Sequence, residues 1–451
     1  MRITPISRSI LHIALPAIAS NVTVPLLGMV DTAIVGHIGQ PAYIGAISVG
    51  ALTFSIVYWL FGFLRASTSG LTAQAYGARN LTAVRQHLRQ SILCALVISS
   101  VLLTLQQVIF RSAIWIIHPS DEVAHWSEVY YNIAIWGAPA VLLLTTLNGW
   151  MIGLQDTRKT MFVAILQNLC NIPLSLYFVF GLKLGVAGVA LGTICSQYLG
   201  LATALYLQRQ LMRKISSQLM ETPDTSPFSI SHKLPSLRQF IAINRDIFLR
   251  TVCIVTVTVC FTSVGARQGD TTLAANTILL HLFYLFSYVM DGFANAGETL
   301  SGHHYGARDR KLLHATVRKI FGWGIILSLL FFFLYLLAGR KILSLFSNDP
   351  LIIQLAGHYI GWSICIPLIS MAAFIWDGIL IGLIQTRAML LTLIIATGIY
   401  FALLHFAGQL CSDTNQSLWL AFTTYLFTRS FIQTIIWPKV CRQTGISYSK
   451  A

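Results

Sequence analysis

The residue with the most chemical potential is Asp31, in the stretch Gly28-Met29-Val30-Asp31-Thr32-Ala33-Ile34-Val35-Gly36. It lies inside an apolar run from about Ile10 to Ile38, long enough to cross a bilayer. An ionised carboxylate in the middle of such a helix costs roughly 3 kcal/mol or more unless it is paired, hydrated or protonated. Burial favours the neutral form of a carboxyl, so proton uptake can cancel the charge. Pro25 precedes Asp31 by less than two turns, and each proline removes a backbone donor and favours a bend. A hinge at Pro25 beside a titratable Asp31 would couple charge to helix shape. The alternative is a structural Asp, hydrogen-bonded to neighbouring helices.

Other polar residues inside apolar runs are few. In the first half Tyr130, Asn148, Asn168, Asn171, Ser175 and Thr193 stand out. Asn171 and Ser175 are four apart and Asn168 adds the i−3 position, so the three share one helical face. Such side chains could hold an ionised Asp31 and exchange partners once it is protonated. The second half carries Asp291 and Glu298, seven apart on one face, Asp377, and His281. A lone intramembrane His is as often a helix contact as a proton carrier. Asp246 and Arg250 are i,i+4 neighbours, a spacing that allows a simple pair.

The elements that position these groups are membrane helices. The chain has 451 residues, 55% apolar and only 10% charged, with a mean hydropathy of +0.71. Soluble domains average about 25% charged residues. Twelve apolar runs extend from about 9–37 to about 416–438, so the fold class is an all-α polytopic membrane protein. The net charge of +15 does not signal nucleic acid. With the N-terminus cytoplasmic, 21 of the 30 Lys and Arg residues fall in loops and tails on that side and 5 on the other. That bias puts both termini inside.

The eight cysteines show no paired spacing and support neither a zinc site nor a disulfide framework. The first helix has no recognisable cleavage site and is expected to be retained. No DDxxD run or large catalytic loop supports an intramembrane transferase.

An internal repeat runs at a constant offset of 229 residues. Tyr76-Gly77-Ala78-Arg79 returns as Tyr305-Gly306-Ala307-Arg308, and Gly149 and Gly153 return as Gly378 and Gly382. Six helices per half make the repeats parallel, related by a pseudo-two-fold axis along the membrane normal. The expected organisation is an N-lobe over residues 1–208 with helices 1–6, a cytoplasmic linker over 209–237 and a C-lobe over 238–451 with helices 7–12. The glycine pairs give each half a small-xxx-small face for close helix approach. The halves are not functionally symmetric, because Cys260 replaces Asp31 and Asp377 replaces Asn148.

The segments VPLLGMVDTAIVGHIG, FLRASTSGLTAQAYGARN, NRDIFLR and DGFANAGETLSGHHYGARD together resemble the multidrug and toxic compound extrusion (MATE) family, in its DNA-damage-inducible protein F branch. The resemblance covers nearly the whole chain. It implies two six-helix bundles forming a V around a central cavity, and export of cationic or amphipathic compounds in exchange for H+ or Na+. It makes Asp31 the coupling residue, surrounded by Tyr130, Asn148, Asn171, Ser175 and Thr193. Some relatives carry a carboxylate where this chain has Ser175, and a hard cation prefers several charged oxygens, so the expectation leans to protons over Na+.

The function expected is therefore a proton-coupled multidrug antiporter in a bacterial inner membrane, neither an enzyme nor a user of any cofactor. Its partners are small organic substrates and membrane lipids, with no nucleic acid, and a monomer is expected. A flippase for a lipid-linked precursor is the main rival. Arg65 and Arg250 would favour it if they faced the cavity, whereas the intramembrane acids favour cations.

Overall fold

The computed structural model describes residues 4–36, 41–220, 237–410 and 413–444; side chains at 24–33, 35, 36, 41, 218–220, 407–410 and 443 lie outside the description. The described residues are almost entirely helical. Helix α1 spans Pro5–Gly36, and α2 (Pro41–Leu60) is followed after a two-residue break by α3 (Phe63–Gly77). Helices α4 (Leu81–Thr104) and α5 (Gln106–Ile117) are separated by Leu105, and α6 (Asp121–Ala134) and α7 (Ala138–Gly153) by a tight turn at Ile135–Gly137. Helix α8 (Thr157–Leu176) ends in a wider turn at Tyr177–Gly181, and α9 spans Gly185–Met220. The second half has α10 (Leu237–Ala266), α11 (Asp270–Gly306), α12 (Arg310–Phe346), α13 (Pro350–Gly382), α14 (Thr386–Leu410) and α15 (Thr414–Gln443).

Ten stretches among the described residues are helical, long and apolar enough to cross a membrane. With α1 and the more polar α15 they make the twelve-helix, two-bundle arrangement expected from the sequence. Many large apolar side chains point outward, among them Leu96 and, more strongly, Val97, Leu330 and Leu337. Such a surface suits hydrocarbon as its solvent.

The repeat is written into the helix ends. Gly77 and Gly306 close α3 and α11, Leu81 and Arg310 open α4 and α12, and Gly153 and Gly382 close α7 and α13, each pair 229 residues apart. Each YGAR turn is a helix stop joined directly to a helix start. Arg79 and Arg308 adopt left-handed conformations at φ 55° and 56°. The following N–H reaches back five residues, from Asn80 to the Ala75 carbonyl and from Asp309 to the His304 carbonyl, both at 2.9 Å. These are Schellman closures. Asn80 and Asp309 then cap the next helix, accepting from the Ala83 N–H at 2.9 Å and the Leu312 N–H at 2.8 Å.

The recurring glycines serve close packing, as their duplication suggested. A Cβ on Gly149 would overlap the Arg65 carbonyl and one on Gly378 the Ala294 carbonyl, residues themselves 229 apart. Gly153 and Gly382 meet the Ser69 and Glu298 carbonyls in the same way. Thus α7 rides on α3, and α13 on α11, with backbone against backbone.

The first half departs from its copy in continuity. α11, α12 and α13 run unbroken where the first half interrupts each equivalent span. Gly62 weakens the helix at one break, and at another Pro139 has no N–H to donate to the Ile135 carbonyl. The break at Leu105 has no such residue to explain it.

By contacts the chain divides into two compact units, Leu15–Ser236 and Met1–Ala14 with Leu237–Ala451. The first unit has a core around Val84, Leu88, Leu147, Trp150 and Met151. Leu211 and Ile215 belong to that core because α9 continues to Met220, through what the sequence marked as the start of the linker. Residues 221–236 lie outside the described residues. In the second unit Asn276 on α11 and Asn415 on α15 bond each other through their side-chain amides at 2.7 and 3.1 Å, and the Trp419 indole donates to Asn276 at 2.8 Å.

Candidate functional site

In the first unit the polar face of α8 meets α9. The Asn171 amide donates to Thr193 Oγ1 at 3.2 Å, which joins two of the sequence candidates. Asn171 Oδ1, Ser175 Oγ and, on α7, Asn148 Oδ1 are buried with no hydrogen-bond partner among the described residues. Asn171 and Ser175 are fully buried. Gly192 permits this meeting, since a Cβ there would overlap Ser175. Buried acceptors without donors are uncommon and costly, and those of Asn171 and Ser175 lie one turn apart on the same face of α8.

Asn168, expected in the same network, does something else. Its amide donates to the backbone carbonyl of Thr23 on α1 at 2.9 Å. It therefore holds the helix that carries Asp31. Tyr130 is buried on α6 and turns its ring toward α2, edge-on to Phe54 at 6.5 Å and against Gly50, where no Cβ would fit. Asp31 and Pro25 stand in α1, and their side chains lie outside the described residues.

In the second unit the decisive group is Asp377. Its Oδ2 accepts from Arg250 on α10 and from Arg429 on α15, the latter at 2.8 Å, while Gln433 donates to Oδ1 at 2.7 Å. The i,i+4 pairing of Arg250 with Asp246 that the spacing allowed does not form. Asp246 is taken by Arg245 at 2.9 Å and by the Thr386 hydroxyl at 3.3 Å. Both carboxylates are buried, and one left unpaired costs several kcal/mol, so each takes its own cation: Arg245 for Asp246, Arg250 and Arg429 for Asp377.

Arg429 and Gln433 were not singled out from the sequence. Their signal was present: an Arg inside a membrane helix, with an amide four residues on along the same face. Among the other candidates Glu298 is buried on α11, Asp291 is half-buried, and His281 is exposed, with its ring 5.6 Å from that of Phe346.

The MatE family model matches residues 16–177 and 247–405, one segment in each half. The chain belongs to the MatE family. It is 36% identical over 439 residues to DNA damage-inducible protein F of Escherichia coli, covering 97% of this chain and 93% of that protein. It is 26% identical to the probable multidrug resistance protein NorM of Thermotoga maritima, over 78% of this chain and 74% of that one. A crystal structure of a MATE protein in the bent conformation superposes with a TM-score of 0.84 at 17% identity, covering 98% of each chain.

For this MatE chain, positions 148 and 377 are repeat equivalents with opposite electrostatic settings. Asn148 presents a neutral oxygen, and Asp377 a carboxylate already claimed by two guanidinium groups. Among the described residues no group of three His, Cys, Asp or Glu side chains could hold a metal ion.

Proposed function

We propose that this MatE protein is a proton-coupled antiporter that exports cationic or amphipathic organic compounds by alternating access across a bacterial cytoplasmic membrane. Membership of a family of transporters is the coarse ground for it, and the name of the T. maritima relative points to multidrug export. The observation that carries the ion assignment is the occupied state of Asp377. A carboxylate bridged by Arg250 and Arg429 has its charge already balanced and is a poor site for a cycling cation. That favours Asp31 over Asp377 for the coupling role.

The neutral oxygens of Asn171, Ser175 and Asn148 suit a proton better than Na+, since a hard cation prefers charged ligands. Protonation of Asp31 from outside changes its hydrogen-bond partners, bends α1 near Pro25 and reshapes the N-lobe so that substrate leaves. Asn168 anchors α1 at Thr23, one side of that bend. The excess of basic residues on one side supports a cytoplasmic setting for both termini. The protein works as a monomer.

The test is substrate-driven proton exchange in proteoliposomes. Native protein is expected to release protons when a cationic dye is added, with no need for Na+, and Asp31→Asn to abolish the exchange while still binding dye. Full coupled exchange by Asp31→Asn removes the scheme, and strict dependence on Na+ replaces the proton.

A further inference from the structure

The Asp377 cluster carries more positive than negative charge. Two guanidinium groups share one carboxylate, and Gln433 adds a neutral donor. Together they offer more N–H donors than one carboxylate can accept. Arg429 Nε and Arg250 Nε are buried without a hydrogen-bond partner among the described residues, as is Gln433 Oε1. The side chains of Asp377 and Arg429 are 9% and 7% exposed, whereas Arg250 is 16% exposed and forms the cluster's reachable edge. The ring of Tyr425 lies 5.4 Å from the Arg429 guanidinium and supplies no full negative charge.

An excess charge held at low dielectric, with unfilled donors beside it, is costly and is relieved by an anionic oxygen. Arg is the side chain that matches a carboxylate with paired N–H groups. We infer that Arg250, Arg429 and Gln433 form, in the C-lobe, a subsite for the carboxylate of a zwitterionic or acidic amphipathic ligand, with Asp377 holding the two guanidiniums in place until the ligand arrives. This deepens the exporter reading and rests on it for the step of transport, because it names a class of cargo that a purely cation-selective cavity would reject.

The experiment is equilibrium binding to full-length protein in nanodiscs of neutral phosphatidylcholine, which offer no acidic lipid headgroup. The probes are a xanthene dye with a free carboxylate and its methyl ester, followed by fluorescence anisotropy. The free acid is expected to bind about tenfold tighter than the ester, equivalent to about 1.4 kcal/mol. Arg250→Gln should bring that ratio to about one, and Arg250→Lys, which keeps the charge but not the planar fork, to a value between.

Equal affinity of acid and ester for the native protein overturns the subsite, and so does a folded Arg250→Gln protein that keeps the preference. The native comparison decides even if neither variant folds. Because binding is read without any ion gradient, a protein that prefers the acid but shows no proton exchange with the cationic dye refutes the exporter reading and leaves the subsite standing.

Discussion

Arg250 and Arg429 meet at one oxygen: the two side chains come from α10 and α15, at the two ends of the C-terminal half, and both donate to Asp377 Oδ2. Asp377 itself comes from α13, so three helices are tied at a single carboxylate. In hydrocarbon surroundings such a tie is strong only while the carboxylate is there to offset the guanidinium charge.

Asp377→Asn leaves two buried guanidinium groups without a counter-charge and should destabilise the protein by about 3–5 kcal/mol. Arg429→Gln leaves the Arg250–Asp377 pair neutral and should cost clearly less. Thermal unfolding of the purified variants in one detergent checks the order, and a larger loss for Arg429→Gln would contradict it.

The glycine contacts give a paired test in each half. Gly149→Ala and Gly378→Ala push a methyl into the facing carbonyls of Arg65 and Ala294, and overpacking of this kind costs about 1–3 kcal/mol or more. Gly322 on α12 and Gly398 on α14 have nothing within 4 Å of where an added methyl would sit, so Ala there should be neutral or stabilising by up to about 1 kcal/mol. Melting temperatures of the four variants settle the contrast.

Ile384 holds φ at 56°, a left-handed conformation that a β-branched side chain tolerates poorly. Its repeat equivalent Gln155 sits at φ 65° with an unbranched side chain. Ile384→Gly should raise stability by about 1 kcal/mol, since the left-handed strain removed is roughly 1–2 kcal/mol and glycine gives part of that back in unfolded-chain entropy. A drop in melting temperature would show that the Ile384 side chain contributes packing that outweighs its strain.

Asp413 opens α15 outside the membrane-spanning stretch. Burial pushes its carboxyl up, but the Tyr359 hydroxyl at 2.8 Å and the N–H groups of Gln416 and Asn415 outweigh that and hold it below the usual carboxylate range. A group depressed in the folded state stabilises the fold above its unfolded pKa, and that contribution disappears as pH falls through its folded value. Native protein should therefore lose melting temperature more steeply between about pH 4 and lower values than Asp413→Asn, which has no such proton to take up. Parallel acid dependence in the two proteins would rule Asp413 out as a source of the loss.

The sequence by itself settled what depends on short-range pattern. Hydropathy marked twelve spans, the 229-residue offset aligned them in two sets of six, and the doubled glycines at 149, 153, 378 and 382 predicted close helix contacts. The spans and the glycine contacts follow from helical periodicity and from the need to satisfy the backbone in hydrocarbon, which act over a few turns of chain, while the offset is read from the duplicated residues themselves. The breaks at Phe61–Gly62 and Leu105 fall inside runs that read as single membrane spans by length and hydropathy, so the sequence alone does not separate them.

Tertiary structure alone decided the partners. Nothing in the spacing of Arg250 distinguished Asp246, four residues away, from Asp377, on a helix far along the chain, and the nearer acid was the wrong one. Asn168 matched the polar face of Asn171 and Ser175 yet bonds the α1 backbone, because its turn of α8 faces Thr23. Asp246 and Asp377 are about equally buried, so burial does not choose between them; the partner is set by how helices distant in sequence pack against one another.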